Sequence, residues 1–218
     1  LLVRKDCIAT FGQFFEEITH RVPVSLLSEL WFLENLKESQ KKIYSAARQT
    51  LDYLFGALAA LMCLLLLPVL APLIYLQDRG PIFYKQRRVG QGGRVFTIYK
   101  FRTMRVGAES NGAQFAAPRD PRVTPVGRVL RLLRLDELPQ AWNLLKGEMS
   151  FIGPRPERPE FVTELHAAMP FYSIRHLIKP GLTGWAQINY SYTDSLSGNL
   201  IKLQYDLYYI KNRSLLLD

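Results

Sequence analysis

The sequence predicts an α+β chain, mainly helical, with one long apolar helix and a short β-hairpin. Three observations carry this expectation. Residues 53–76 form a run of 24 residues with no charged side chain. Two β-rich runs, residues 82–84 and 95–99, flank Gly90-Gln91-Gly92-Gly93, which reads as two short strands around a turn. Apolar residues elsewhere recur at helical spacing, in residues 127–135, 138–145, 161–168 and 200–211.

Residues 1–50 are polar and partly helical, with Phe11, Phe14, Phe15 and Ile18 on one stripe. Pro23, between Val22 and Val24, marks a break, and core packing is expected for Trp31 and Phe32. A helix over residues 53–76 would reach about 36 Å, against a hydrocarbon core of about 30 Å. A transmembrane span is the default reading. Pro68 and Pro72 interrupt the run, and an interior proline removes a backbone donor and kinks a helix. Both flanks are also basic: Lys37, Lys41, Lys42 and Arg48 precede, and Arg79, Lys85, Arg87 and Arg88 follow. Basic flanks belong in the cytoplasm, here at both ends. A re-entrant hairpin that breaks at Pro68 satisfies both observations, so the span and the hairpin stand side by side.

Asp78-Arg79-Gly80-Pro81 reads as a turn. The glycines at 90, 92 and 93 fit neither a Walker loop nor a dinucleotide fingerprint, so a hairpin turn is expected rather than a phosphate cradle. Residues 106–121 are small, polar and flanked by proline, the composition of a mobile loop.

The chain has 218 residues and a net charge of +9. That balance calls for an acidic partner: nucleic acid, anionic lipid or a phosphate-bearing substrate. Cys7 and Cys63 are the only cysteines, and Cys63 lies in the apolar run, so a disulfide framework is not expected. His20, His166 and His176 have no metal-binding spacing, and no Gly-x-Ser-x-Gly elbow is present. The first residue is not methionine and the last ones interrupt an apolar pattern, as expected of a piece of a longer protein.

The chemistry concentrates in Arg131-Leu132-Leu133-Arg134-Leu135-Asp136-Glu137. Arg128, Arg131 and Arg134 recur every third residue, on one side of a helix. The cluster is expected to draw an anion and to hold Asp136 ionised. An ionised carboxylate can act as a nucleophile, and its neighbour can hold a divalent cation. The same ten residues also read as a solvated basic helix with an acidic end. Arg155, between Pro154 and Pro156, is presented on a fixed backbone; alone, it is equally a solvated arginine on a rigid turn.

Four segments lie in one order: Tyr99-Lys100-Phe101-Arg102-Thr103-Met104, the Asp136-Glu137 segment, Lys146-Gly147-Glu148-Met149-Ser150-Phe151-Ile152-Gly153-Pro154-Arg155-Pro156, and Lys179-Pro180-Gly181-Leu182-Thr183-Gly184-Trp185-Ala186-Gln187. In order and spacing they resemble the bacterial sugar transferase family, the monotopic phosphoglycosyl transferases, over about residues 49–218. The nearest likeness is to the polyprenyl glycosylphosphotransferases of exopolysaccharide assembly. The resemblance implies a re-entrant membrane helix at 51–77, a small cytoplasmic catalytic domain at 78–218 with its C-terminus cut, and residues 1–50 as the tail of an upstream regulatory region. Many members carry serine before the break proline; here it is Leu67, which leaves the break without that cap.

The resemblance further implies transfer of a phosphosugar from a UDP-sugar to undecaprenyl phosphate at the bacterial inner membrane, with UMP released. Asp136 is then the nucleophile, Glu137 with Asp136 the Mg²⁺ ligands, and Arg131 a catalytic cation. Lys100, Arg102, Arg131, Pro154, Arg155 and Pro156 are the expected substrate-binding residues. Membrane lipids are expected partners, nucleic acid is not, and a homo-oligomer stays open. The competing classes are a nucleic-acid-binding membrane protein, a non-catalytic scaffold of polysaccharide assembly, and a transferase with direct attack by the lipid phosphate. Two carboxylates inside the basic patch argue against the first, since they repel phosphates unless a metal intervenes.

Overall fold

The computed structural model describes residues 10–27, 31, 35, 42–109, 120–190 and 195–218. Phe32 and most of the loop expected at 106–121 lie outside them. The described part is mostly helical, with two small sheets.

Helix α1 (Phe11–Thr19) opens with a capping box, in which the Thr10 side chain accepts from the Gln13 N–H and the Gln13 side chain accepts from the Thr10 N–H. After it the chain turns inward. Val22 and Val24 are buried against Met169, Tyr172, Leu203 and Leu207, with Trp31 partly buried on the same cluster. Lys211 ties this segment to the C-terminal helix through a 2.6 Å pair with Glu16.

Helix α2 runs unbroken through Lys42–Asp78, with Pro68 and Pro72 inside it. The expected break at Pro68 is therefore not a helix end. Each proline lacks the N–H that the helix needs four residues upstream, at Leu64 and at Pro68. Mean hydropathy reaches 2.6 in its most apolar window, so α2 is long and apolar enough to cross a membrane by length and composition. Asp52, Gly56, Leu70 and Ile74 are buried along one face, at the spacing of a helical stripe. Leu54, Leu58, Leu61, Leu65 and Leu76 are exposed on the rest of the helix.

Strands β1 (Phe83–Val89) and β2 (Val95–Phe101) form an antiparallel hairpin with Tyr84 opposite Lys100 and Lys85 opposite Tyr99. The glycine-rich loop is its turn, with Gly92 and Gly93 at positive φ, a conformation that costs glycine nothing. Period-two alternation gives the hairpin two unlike faces. Helix α3 (Pro125–Leu132) starts at Thr124, whose side chain accepts from the Gly127 N–H. It ends earlier than the expected 127–135, because Arg134 turns left-handed at φ 57° and starts a 3₁₀ segment, Leu135–Gln140. Helix α4 (Ala141–Leu145) follows.

Two glycine-rich segments of the sequence meet as a parallel pair: β3 (Ser150–Ile152) and β4 (Gly181–Thr183), with Ser150 opposite Gly181. The backbones cross closely here. A Cβ on Gly181 would stand 2.1 Å from the Gly153 nitrogen, and one on Gly184 would stand 2.1 Å from the Gly153 oxygen. Helix α5 (Pro159–Ala168), a 3₁₀ segment Tyr172–Leu177, the short α6 (Trp185–Asn189) and α7 (Leu196–Asn212) complete the fold. Trp185 packs, partly buried, on the cluster of Ile178, Tyr209 and Ile210.

Candidate active site

A cavity of about 600 Å³ opens between the hairpin, α3, the 3₁₀ segment and the Pro154–Pro156 turn. Its walls bring together Lys100, Arg102, Arg131, Asp136, Glu137 and Arg155. Three segments far apart in sequence thus meet on one cavity. Arg134 also lines it, while Arg128 does not stand among the lining residues and is exposed. The three-arginine stripe is thereby split: Arg131 and Arg134 reach the cavity although Arg134 has left the helix, while Arg128, on α3 with Arg131, does not.

Asp136 and Glu137 are both about 8% exposed, yet their environments differ. Lys100 Nζ lies 2.6 Å from Glu137 Oε1, and Arg155 Nη2 lies 3.2 Å from the same oxygen. Burial pushes Glu137 up, but these two cations outweigh it and hold the carboxyl down to about 2. Asp136 moves the other way. Burial raises it above the usual carboxylate range and Glu137 adds to this, against the pull of Lys100 and Arg131. Of the arginines that the sequence sets before Asp136, Arg131 does pull it down, but the strong pairing falls on Glu137, with Lys100 and Arg155. Lys100 is itself lowered, first by burial and then by Arg155.

Arg131 is aimed by its neighbours. Its Nε donates to Thr103 Oγ1 at 2.9 Å. Thr103 is held in turn by α3, whose Thr124 N–H donates to the Thr103 carbonyl at 3.0 Å. Helix and strand end approach so closely that a Cβ on Gly127 would lie 2.0 Å from that carbonyl oxygen. Arg102 reaches the cavity wall, but its guanidinium points to the end of α2, pairing with Asp78 at 2.5 Å and donating to the Ile74 carbonyl at 3.1 Å. Its position anchors the apolar helix to the hairpin.

Pro154, Arg155 and Pro156 form a turn in which all three carbonyls are held. The Gly181 N–H donates to Pro154 O at 2.9 Å, Arg175 Nη2 to Arg155 O at 2.9 Å, and Arg88 Nη1 to Pro156 O at 2.8 Å. With proline on both sides there is little backbone freedom left, and the Arg155 side chain is delivered to Glu137. Arg88 and Arg175 were not among the expected site residues. Arg175 is buried and paired with Asp206 at 2.9 Å, and burial raises Asp206 to about 6 despite that partner. Nothing in the spacing of the chain announces these contacts.

Of the four carboxylates lining the cavity, Glu109 and Glu157 are paired with Arg158 and Arg88, so a divalent cation would turn to the adjacent Asp136 and Glu137; no cluster of three His, Cys, Asp or Glu occurs among the described residues. That donor set suits magnesium, which takes one or two carboxylates and completes its shell with water and substrate phosphate.

Two buried carboxylates, one of them paired with two cations, do not fit a solvated charge run. Residues 43–218 match the model of the bacterial sugar transferases. The chain belongs to this family of transferases. It is 46% identical to the UDP-N-acetylgalactosamine-undecaprenyl-phosphate N-acetylgalactosaminephosphotransferase of Aeromonas hydrophila, over 94% of this chain and 48% of that protein. It is 37% identical to the undecaprenyl-phosphate glucose phosphotransferase of Komagataeibacter xylinus, over 100% of this chain and 40% of the relative. With the UDP-glucose:undecaprenyl-phosphate glucose-1-phosphate transferase of Escherichia coli (strain K12) it shares 41% identity, over 74% and 36% of the two chains. The chain spans less than half the length of these three relatives.

Proposed function

We propose that this chain carries the catalytic part of an undecaprenyl-phosphate sugar phosphotransferase, working in two steps through Asp136. The observation that carries the reading is the division of labour between two adjacent carboxylates in one cationic cavity. Environments that push two titratable groups apart mark their separate roles. Glu137, paired with Lys100 and Arg155, is the stabilised anion. Asp136, buried and without so close a cation, is the more basic one, as a nucleophile must be.

In the first step a carboxylate oxygen of Asp136 attacks the sugar-bearing phosphorus of a UDP-sugar. The bond from that phosphorus to the bridging oxygen breaks, and UMP leaves with the electron pair. In the second step a phosphate oxygen of undecaprenyl phosphate attacks the same phosphorus and the Asp136 carboxylate departs. Such transfers need positioning and charge neutralisation more than covalent help. Arg131, fixed by Thr103, is placed for the equatorial oxygens, and Arg155 for the donor diphosphate, where its planar fork binds bidentately. A magnesium ion held by Asp136 and Glu137 together with the diphosphate would supply further neutralisation.

We infer membrane association through α2 as a re-entrant or interfacial element at the inner membrane, with the catalytic residues cytoplasmic. Support comes from where α2 packs. Its early part is bonded to β3, with Asp52 Oδ1 accepting from the Phe151 N–H at 2.7 Å. Its end is bonded to the hairpin through Arg102. About 33 Å of helix separates Asp52 from Ile74, so one polar domain holds both ends of a bilayer-length segment. A sugar phosphate placed on undecaprenyl phosphate would be an early, membrane-bound step of glycan assembly, of exopolysaccharide or a related glycan.

The test is release of UMP from a panel of UDP-sugars, beginning with UDP-N-acetylgalactosamine and UDP-glucose, with and without undecaprenyl phosphate. Donor labelled in the sugar should leave label on the wild-type protein when acceptor is withheld. Asp136→Asn should abolish it. Labelling of Asp136→Asn at the wild-type rate would sink the two-step reading.

A further inference from the structure

A second cavity, of about 460 Å³, lies on the other side of the hairpin from the catalytic one. We propose that it is the seat of the acceptor's isoprenoid tail, an inference that rests on the proposed reaction. Ala60, Cys63, Leu64 and Leu67 of α2 form one wall. Leu138 and Pro139 belong to the opposite wall. A groove walled mainly by apolar side chains, along a helix of this hydropathy, suits a hydrocarbon chain better than a sugar nucleotide.

Its rim has the chemistry of a membrane interface. Trp142 is 55% exposed, and the Lys146 ammonium lies 5.4 Å from the centre of its ring. Lys85 lies 5.8 Å from the ring of Tyr99. Amphipathic rings and snorkelling lysines sit at headgroup level. That height puts cations beside a lipid phosphate while the tail continues below. The exposed Leu61, Met62 and Leu65 of α2 extend the apolar surface beyond the groove, where the rest of a long chain would lie in lipid.

The position relative to the carboxylates separates this groove from a general lipid contact. The 3₁₀ segment Leu135–Gln140 faces both ways: Asp136 and Glu137 line the polar cavity, and the next two residues line the groove. The hairpin repeats the division. Tyr84, Gln86, Arg88 and Lys100 face the polar cavity, while Phe83, Lys85 and Tyr99 face the groove. A tail held here keeps its phosphate at the edge of the wall that carries the nucleophile.

The experiment uses the full chain in phosphatidylcholine nanodiscs with Cys7→Ser, so that Cys63 is the only thiol. Alkylation of Cys63 by N-ethylmaleimide is followed by intact mass. Undecaprenyl phosphate should slow it about tenfold, while phosphatidylglycerol at the same mole fraction should not, because tail and headgroup are both matched only in the acceptor. Cys63→Trp fills the groove and should raise the acceptor KM about tenfold or more, with the KM for UDP-sugar little moved and the preference for long over short prenyl phosphates lost. Equal labelling with and without undecaprenyl phosphate overturns the proposal. So does equal protection by phosphatidylglycerol, which would make the groove a bulk-lipid contact, or protection that follows protein concentration, which would make it an interface between copies. Protection in a protein that turns over no UDP-sugar keeps the groove and removes the reaction proposed for Asp136. Robust turnover without protection does the reverse.

Discussion

At the scale of single residues, the cavity works by unequal treatment of neighbours. Glu137 is held at about 2, against about 4.3 for a free glutamate. Its folded pKa is depressed, so its contribution to stability is present above about pH 4.5 and is lost as pH falls towards 2. A shift of roughly two units is worth about 3 kcal/mol. Glu137→Gln should therefore flatten the loss of stability between pH 4.5 and 2, measured by denaturant titration, and should lose most activity at neutral pH. A wild-type slope in that variant would refute the pairing. Asp136 has the opposite sign. Its raised pKa means that the nucleophile is lost by protonation sooner than an ordinary aspartate, so the acid limb of kcat should lie at higher pH than an unperturbed aspartate would give. Arg155→Ala should raise the donor KM, and because Arg155 also faces Glu137 the Glu137 shift should shrink with it. A charge-assisted bond of about 1.5–3 kcal/mol corresponds to roughly tenfold to a hundredfold in donor binding.

At the scale of elements, the hairpin and most helices were legible because each is announced locally, by alternation around Gly92-Gly93 or by apolar spacing. The split of the arginine stripe was not. Arg134 adopts a left-handed turn without the glycine or asparagine that usually marks one. The pairing of β3 with β4 was equally hidden, since each strand is three residues long and their partners lie about thirty positions apart. Its only trace is the glycines at 153, 181 and 184, needed for backbone contact rather than for turns. Gly181→Ala puts a methyl group into the Gly153 backbone and should cost about 1–3 kcal/mol or more, together with loss of the bond to Pro154. A melting temperature equal to wild type would show that the crossing is looser than this. Arg175→Lys keeps a positive charge for Asp206 but removes the fork that also reaches Arg155 O. It should raise the donor KM more than it lowers kcat, whereas a purely structural role would depress the amount of active enzyme and leave KM alone.

At the scale of the whole molecule, the problem is how one polar domain sits on a helix as long as a bilayer is thick. Composition revealed the length and the basic flanks; it could not reveal that α2 lies against the domain over most of its course. A helix crossing the membrane would carry Asp52 and Ile74 to opposite faces, yet Asp52 is bonded to Phe151 and Ile74 accepts from Arg102. One domain cannot make both contacts from one side unless the helix stays in a single leaflet or bends back. We therefore expect cysteines placed at Ser45 and at Gln91, both exposed, to be protected together from an impermeant maleimide applied to intact cells, and labelled together once the membrane is opened. Labelling of Ser45→Cys alone from outside would establish a full span and break the contact between α2 and β3 in the native membrane. Pro68→Leu restores a backbone donor inside the apolar run. It should shift the same assay towards that spanning pattern if the missing bond is what keeps α2 on one side.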